Sequence, residues 1–313
     1  MSQPFHILGP LRHDCTGCGG CCHGVVVFLN QQERARVRAL AAQAGMEDPV
    51  EDGELRFQGG RCLFQAEDER CRIHVEHGLE AKPLLCQQYP LVLSRTAQGV
   101  RAGVDPGCYD GWKSWQNGPL LQGRAGAVET HKLSPKAARH EEKLLDLLDL
   151  PELTIARLAS MLTDELPPGP RALPAAFARR AVERVKQAGL SGLVTTEASG
   201  AMLHDVLKPV FEHAETIDPH ALPPWPVLAP TEEAFALELL QRLLWLRAVR
   251  TVNNPTGVVV LGLVGVMLCA WHDPAPAVFG PALAGWTRIV RSPAFLQALA
   301  PDPADLLQLA TGR

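Results

Sequence analysis

Apolar and polar positions follow two different rhythms along this chain, and the change of rhythm divides it. Up to about residue 117 the apolar segments are short and glycine interrupts them. "GVVVFL" (Gly24–Leu29), "ELRFQ" (Glu54–Gln58) and "PLVLS" (Pro90–Ser94) predict strands or extended segments, and "GVRAGV" (Gly99–Val104) can pair back on the last. One helix stands out here. Asn30 is its N-cap and Glu33 holds the capping-box position. Val37, Leu40, Ala41 and Ala44 recur at helical spacing, and Gly45 stops it.

From Gly118 the helical period takes over. "RHEEKLLDLLDL", "PELTIARLASMLTDEL", "PAAFARRAVERVKQAG" and "TEEAFALELLQRLLWLRAVRTV" each predict a helix, with Pro151 and Pro174 at first helical positions. "LPPGPRALP" (Leu166–Pro174) and "DPHALPPWPVLAP" (Asp218–Pro230) read as rigid connectors. "NNP" (Asn253–Pro255) separates one long helix from the next. The expected fold is mainly α. A small irregular α+β unit spans 1–117 and an all-helical unit spans 118–313, with no internal repeat.

Composition narrows the function classes. Of 313 residues 46% are hydrophobic and 20% charged, which supports a buried core and argues against global disorder. A net charge of -4 argues against a general binder of nucleic acid or anionic membranes. The longest apolar run, "VVVLGLVGVMLCAW" (Val258–Trp271), is short for a membrane span and suits a buried helix. "MSQPFHILGPLRHDC" has no basic region followed by an apolar one, so no signal peptide is expected. The expected location is the cytoplasm, where thiols stay reduced.

That expectation matters because eight of the nine cysteines lie in the first unit: Cys15, Cys18, Cys21, Cys22, Cys62, Cys71, Cys86 and Cys108. A disulfide framework needs an oxidising compartment, which nothing indicates. A thioredoxin-like pair needs a C-x-x-C opening a helix in a βαβ unit, whereas "CTGCGGCC" (Cys15–Cys22) is a glycine-rich loop. A metal site fits best. Thiolates are soft ligands for zinc and iron–sulfur clusters, and C-x-x-C-x-x-C lets a loop wrap one centre. Gly17, Gly19 and Gly20 supply unusual backbone angles and free N–H groups to approach sulfur. Eight thiols make two four-thiolate sites, or one with spare ligands. Adjacent Cys21 and Cys22 point oppositely in an extended chain, so one serves another centre or the loop redirects it. Paired C-x-x-C knuckles would favour zinc, but only one knuckle region exists. The loop has the start of a ferredoxin run without its C-x₃-C-P end. Spacing alone leaves zinc and iron–sulfur open.

Neighbouring residues carry weaker expectations. His23, His74 and His77 are candidate ligands or, more readily, donors to sulfur; Lys82 and Arg72 can offset thiolate charge. Pro83 and Tyr89-Pro90 shape the turn that presents Cys86. Cys269, in the apolar run, reads as a buried small hydrophobe. The basic stretch "RRAVERVK" (Arg179–Lys186) reads as a solvated face. Glu141/Glu142 and Glu232/Glu233 read as acidic pairs that suit helix starts. There is no G-x-G-x-x-G after a strand, no P-loop, no C-x₃-C-x₂-C, no G-x-S-x-G and no H-E-x-x-H.

These cysteines, with "GGRCLF" around Cys62, "CRIH" from Cys71, "KPLLCQQYP" from Lys82 to Pro90 and "DPGC" ending at Cys108, resemble the CxxCxxCC cysteine-cluster family, the YkgJ-like group of zinc or iron chelators. Lys82 and Gln87 stand where that family commonly has arginine. The family includes the flagellin lysine N-methylases. The resemblance implies a metal-binding fold with all eight cysteines as ligands. Through the methylases it implies one or two [4Fe-4S] clusters rather than zinc. It also admits S-adenosylmethionine, for which the sequence shows no motif.

Three functions follow. One is an iron–sulfur protein used in redox or group-transfer chemistry, in its sharpest form a protein-lysine methylase-like enzyme, whose helical half binds a protein substrate or partner. Another is a structural zinc module for protein interaction. The third is metal storage or delivery, which calls for exposed, readily released ligands.

Overall fold

The computed structural model of the chain describes residues 4–23, 26–115, 117–121, 128–130, 132–163, 173–194, 201–249 and 251–312. It is mainly helical, with small sheets confined to the first part and its margin.

The largest sheet has the order β1 (Phe5–Ile7), β7 (Val100–Val104), β6 (Leu91–Arg95), β8 (Val128–Thr130). β6 and β7 form the expected hairpin, with Leu93 opposite Ala102, while β1 and β8 add in parallel on either side. The sheet thus takes an edge strand from beyond residue 117, so the helical half is entered through a strand.

Helix α1 (Gln31–Gln43) forms as its caps predict: the Asn30 side chain accepts from the Glu33 N–H, and Glu33 accepts from the Asn30 N–H. "ELRFQ" is not one strand. It divides into β3 (Glu54–Leu55), paired with β2 (Val50–Glu51), and β4 (Phe57–Gln58), paired with β5 (Arg61–Cys62). The cause is local: Asp52-Gly53 and Gly59-Gly60 are both two-residue turns with positive φ, and each closes its own hairpin. Gly24 and Val25 of "GVVVFL" lie outside the described residues; its remainder makes only an isolated bridge, Phe28 to Glu54.

Helices α2 (Arg72–His77) and α3 (Leu84–Gln88) are short. The second part builds α4 (Pro135–Leu148), α5 (Ile155–Thr163), α6 (Ala175–Ala188), α7 (Leu190–Leu193), α8 (Ala201–Thr216), α9 (Pro230–Trp245), α10 (Pro255–His272), α11 (Pro276–Ile289), α12 (Pro293–Leu299) and α13 (Pro303–Thr311). Pro151 and Pro174 are not first helical residues. α5 starts at Ile155 and Pro174 is the N-cap of α6. The residues that do start helices are Pro135, Pro230, Pro255, Pro276, Pro293 and Pro303, where the missing N–H costs nothing. The connector at 166–172 and the segment 122–127 lie outside the described residues.

α10 is long and apolar enough to cross a membrane by length and composition, yet 83% of its most apolar window is buried. It is the axis of the core, packed against α8, α9, α11 and α13, with Cys269 fully buried on it. The basic stretch of α6 is only in part a solvated face: Arg179 is exposed, but the other three cations are engaged. Arg180 donates to the Leu309 and Ala310 carbonyls, Arg184 to the Leu299 carbonyl and Asp305, and Lys186 to the Ile217 carbonyl. These are free carbonyls at helix C-terminal ends, which cations suit.

Sheet and helices are locked at β7. Arg101 and Arg247 both pair with Glu141, which is 1% exposed in the middle of α4. Glu141 is therefore a buried counter-ion rather than a dipole partner. Glu232 and Glu233 do stand in the first turn of α9, where Glu233 also accepts from the Ile155 N–H. Trp245 donates to the Ala102 carbonyl and Arg242 to the Val104 carbonyl.

Candidate metal centre

The cysteines are delivered by several different pieces of local structure. Gly20–Cys22 winds into a single 3₁₀ turn closed by the Cys22 N–H on the Gly19 carbonyl. That turn redirects the adjacent thiols: the Cys21 and Cys22 sulfurs are 4.0 Å apart rather than opposed. Gly19 sits at φ 71, left-handed backbone that favours glycine, and a Cβ at Gly20 would meet the Tyr109 ring at 2.8 Å. Gly17 also has positive φ, while Gly20 serves close approach alone. Cys62 ends the Gly59-Gly60 hairpin, Cys71 is the N-cap of α2, and Cys86 lies in α3 behind its N-cap Pro83. Cys108 follows β7 in a turn held by its N–H on the Asp105 carbonyl.

These elements bring five thiols, Cys21, Cys22, Cys62, Cys71 and Cys86, to the wall of one cleft of about 1030 Å³. Cys18 and Cys108 form a second group, close enough to feel each other's charge, and Cys21 acts on both groups. Cys15 is exposed and stands outside both. All nine cysteines are free thiols. Among the described residues no three cysteine, histidine or carboxylate side chains converge tightly enough for one ion.

The electrostatics of the cleft follow from burial. Cys62 and Cys86 are each pushed up to about 12, chiefly by burial. Burial likewise raises Cys18 and Cys108, the latter also facing Asp105. The adjacent pair divides one charge: the hydrogen bond from Cys22 holds Cys21 low as the thiolate, helped by Lys82 and Arg288, and Cys22 keeps its proton. Burial pulls Lys82 down, but Cys21, Cys71, Cys86 and Cys22 together outweigh it and raise the ammonium. Its backbone carbonyl is pinned by Arg36 and by Gln87, the second residue that departs from the expected arginines.

Other residues frame the thiols that the sequence did not single out. Arg288 of α11 donates to the Gly20 carbonyl and lies over the Tyr109 ring, within reach of Cys21 and Cys108. Arg291 makes a two-fold pair with Asp105, at 2.6 and 3.0 Å. Burial opposes ionisation of Asp105, yet Arg291 holds it below the ordinary carboxylate value. On the other flank Gln65 donates to Glu69 and to the Gly19 carbonyl, and Arg61 and His23 also meet Glu69. "RIVR" at the end of α11 places two arginines three apart, a signal visible in the sequence but without meaning until the fold brings α11 to the loop. Of the other expected neighbours, His23 is buried against Glu69, whereas Arg72, His74 and His77 are exposed.

Several buried polar atoms around the cleft have no partner: Tyr89 Oη, His23 Nδ1, Arg288 Nη2 and Arg291 Nε. Buried donors are seldom left so. Arg288 Nη2 and the half-buried ammonium of Lys82, together with the soft thiols, fit a polynuclear anionic group with sulfur acceptors.

No curated protein and no solved structure shows significant similarity to the chain. Residues 14–108, under a third of the chain, match the family model CxxCxxCC, described as a "Putative zinc- or iron-chelating domain", and the chain therefore carries a CxxCxxCC domain.

Proposed function

We propose that Cys22, Cys62, Cys71 and Cys86 hold one iron–sulfur centre, of the [4Fe-4S] type, in this cleft. The observation that carries this reading is that four separate elements bring these four thiols to a single cleft, which Cys21 also lines, with Lys82 half-buried among them. The domain description supports metal chelation in general. Iron–sulfur is preferred to zinc because the cleft that these thiols line, about 1030 Å³, is far larger than a single ion fills. The half-buried cations Lys82 and Arg288 and the N–H donors suit the negative charge of a thiolate-bound cluster.

Such a centre supplies one-electron transfer. The chain's own residues hold the ligand loop through Arg288 and Gln65 and offset charge through Lys82. The redox or group-transfer reading rests on the adjacency of this centre to an open cleft, which structural zinc would not need. Cys18, Cys21 and Cys108 make a further four-thiolate set only with Cys15, which is exposed, so the proposal has one centre.

The test is a set of single Cys→Ser chains purified anaerobically. Cys62→Ser and Cys86→Ser should lose nearly all iron and sulfide, while Cys15→Ser keeps them. Loss of about half from each of Cys62→Ser and Cys18→Ser would instead indicate two centres, and unchanged iron in Cys62→Ser would remove the assignment.

A further inference from the structure

The cleft is larger than its thiols account for. Its volume of about 1030 Å³ is at the upper end for small-molecule sites. Beyond the cysteines its wall is apolar, with Val27, Leu29, Leu55, Phe64, Leu93 and Leu246. Val26 and Phe28 stand at its rim 59% and 65% exposed, where apolar side chains gain nothing from the protein alone. Deeper in, Tyr89 and Arg291 line the cleft within electrostatic reach of each other. Tyr89 Oη and Arg291 Nε are both buried donors with nothing to donate to.

The charges facing them decide what they would receive. Asp105 is the nearest carboxylate, and both of its oxygens are taken by the two Nη atoms of Arg291. That pair is neutral overall. The thiolate side carries negative charge, met by Lys82. An anionic head would be repelled by the sulfur side. A cationic head offers donors to donors. A neutral oxygen acceptor satisfies both orphan groups without a charge penalty.

We propose that this cleft binds a small amphipathic molecule beside the cysteine centre, with an aliphatic or aromatic body along the apolar wall and a neutral carbonyl accepting from Tyr89 Oη and Arg291 Nε. Esters, amides, ketones and quinones belong to this class. The proposal goes beyond the metal reading and does not require it, because the donors and the apolar wall belong to the protein itself.

The test uses the full chain, purified anaerobically, with metal content measured on each sample. Octan-2-one, octanoate and octylammonium are probes of matched apolar body and different heads, titrated by calorimetry and ligand-observed NMR. Octan-2-one should bind saturably at about millimolar or tighter, as expected for so small a ligand, and both charged probes should bind at least about tenfold more weakly. Tyr89→Phe should weaken octan-2-one about five- to tenfold, the loss of one buried hydrogen bond. Phe28→Asp, at an exposed rim position, should weaken all three by placing charge on the apolar path. Absence of saturable binding would overturn the proposal. So would equal binding of the three heads, or Tyr89→Phe binding octan-2-one as tightly as the parent. Octan-2-one binding in a sample without iron would keep this proposal and remove the iron–sulfur one; an iron-loaded sample that binds no probe would do the reverse.

Discussion

Lys82 and Arg291 are the side chains on which the site's electrostatics turn, and they do so differently. Lys82 is kept charged against its own burial by negative charge on the surrounding cysteines, Cys21 foremost. Replacing it by methionine should lower metal affinity about 10–100-fold, the usual effect of removing a supporting group next to metal ligands. Lys82→Arg should restore most of that, and a chelator challenge on the three chains checks it. Arg291 matters through Asp105, whose carboxyl is depressed by their pairing. A depressed carboxylate contributes stability that is fully present above its ordinary value of 3.8 and is lost as pH falls through the lower folded value. Removing one partner leaves a buried charge, so Arg291→Ala should cost about 3–5 kcal/mol at neutral pH. In acid its melting temperature should approach that of the parent, since the parent loses the same pair. Lys82 was visible in the sequence because it sits within the cysteine motifs. Asp105 and Arg291 were not visible as a pair, because 186 residues separate them.

The elements that present the thiols differ in how far sequence betrays them. α1 was legible in full, because capping is local chemistry: an Asn30 oxygen, a Glu33 carboxylate and a glycine stop specify its ends without help from the rest of the chain. Asn30→Ala should cost about 1 kcal/mol in denaturant unfolding. Glu33 has a second task, since its other oxygen accepts from the Leu84 N–H at the start of α3, the helix that carries Cys86. Glu33→Ala should therefore cost more than Asn30→Ala and also loosen metal retention, which Asn30→Ala should not. "ELRFQ" alternates like one strand, but the two glycine turns that flank it split it between two hairpins. The basic face of α6 departs from expectation for another reason. Period and charge show that a face is cationic, but not that three helix C-terminal ends will arrive there to be capped.

At the scale of the whole molecule, the cysteine part and the helical half are one structure. β8 completes the sheet from beyond residue 117, the Arg101–Glu141–Arg247 cluster buries charge at the junction, and α11 reaches back with Arg288 to the Gly20 carbonyl. The mainly helical class and the buried role of α10 followed from hydrophobic rhythm. The dependence of the ligand loop on a helix some 270 residues away did not, since rhythm says nothing about which surfaces meet. Arg288→Gln keeps a donor for Gly20 but removes the charge near Cys21. Its expected outcome is a folded chain with an unchanged melting profile and weaker metal retention. Loss of folding instead would mean that Arg288 acts mainly as a structural tie.

All of these effects presuppose the group that the thiols hold. The most direct measurement is iron, acid-labile sulfide and zinc per chain on anaerobically purified full-length protein, with the visible spectrum of the same sample. About four iron and four sulfide per chain, with broad visible absorption that bleaches on reduction, is the result predicted here. A colourless protein holding stoichiometric zinc and no sulfide would contradict it.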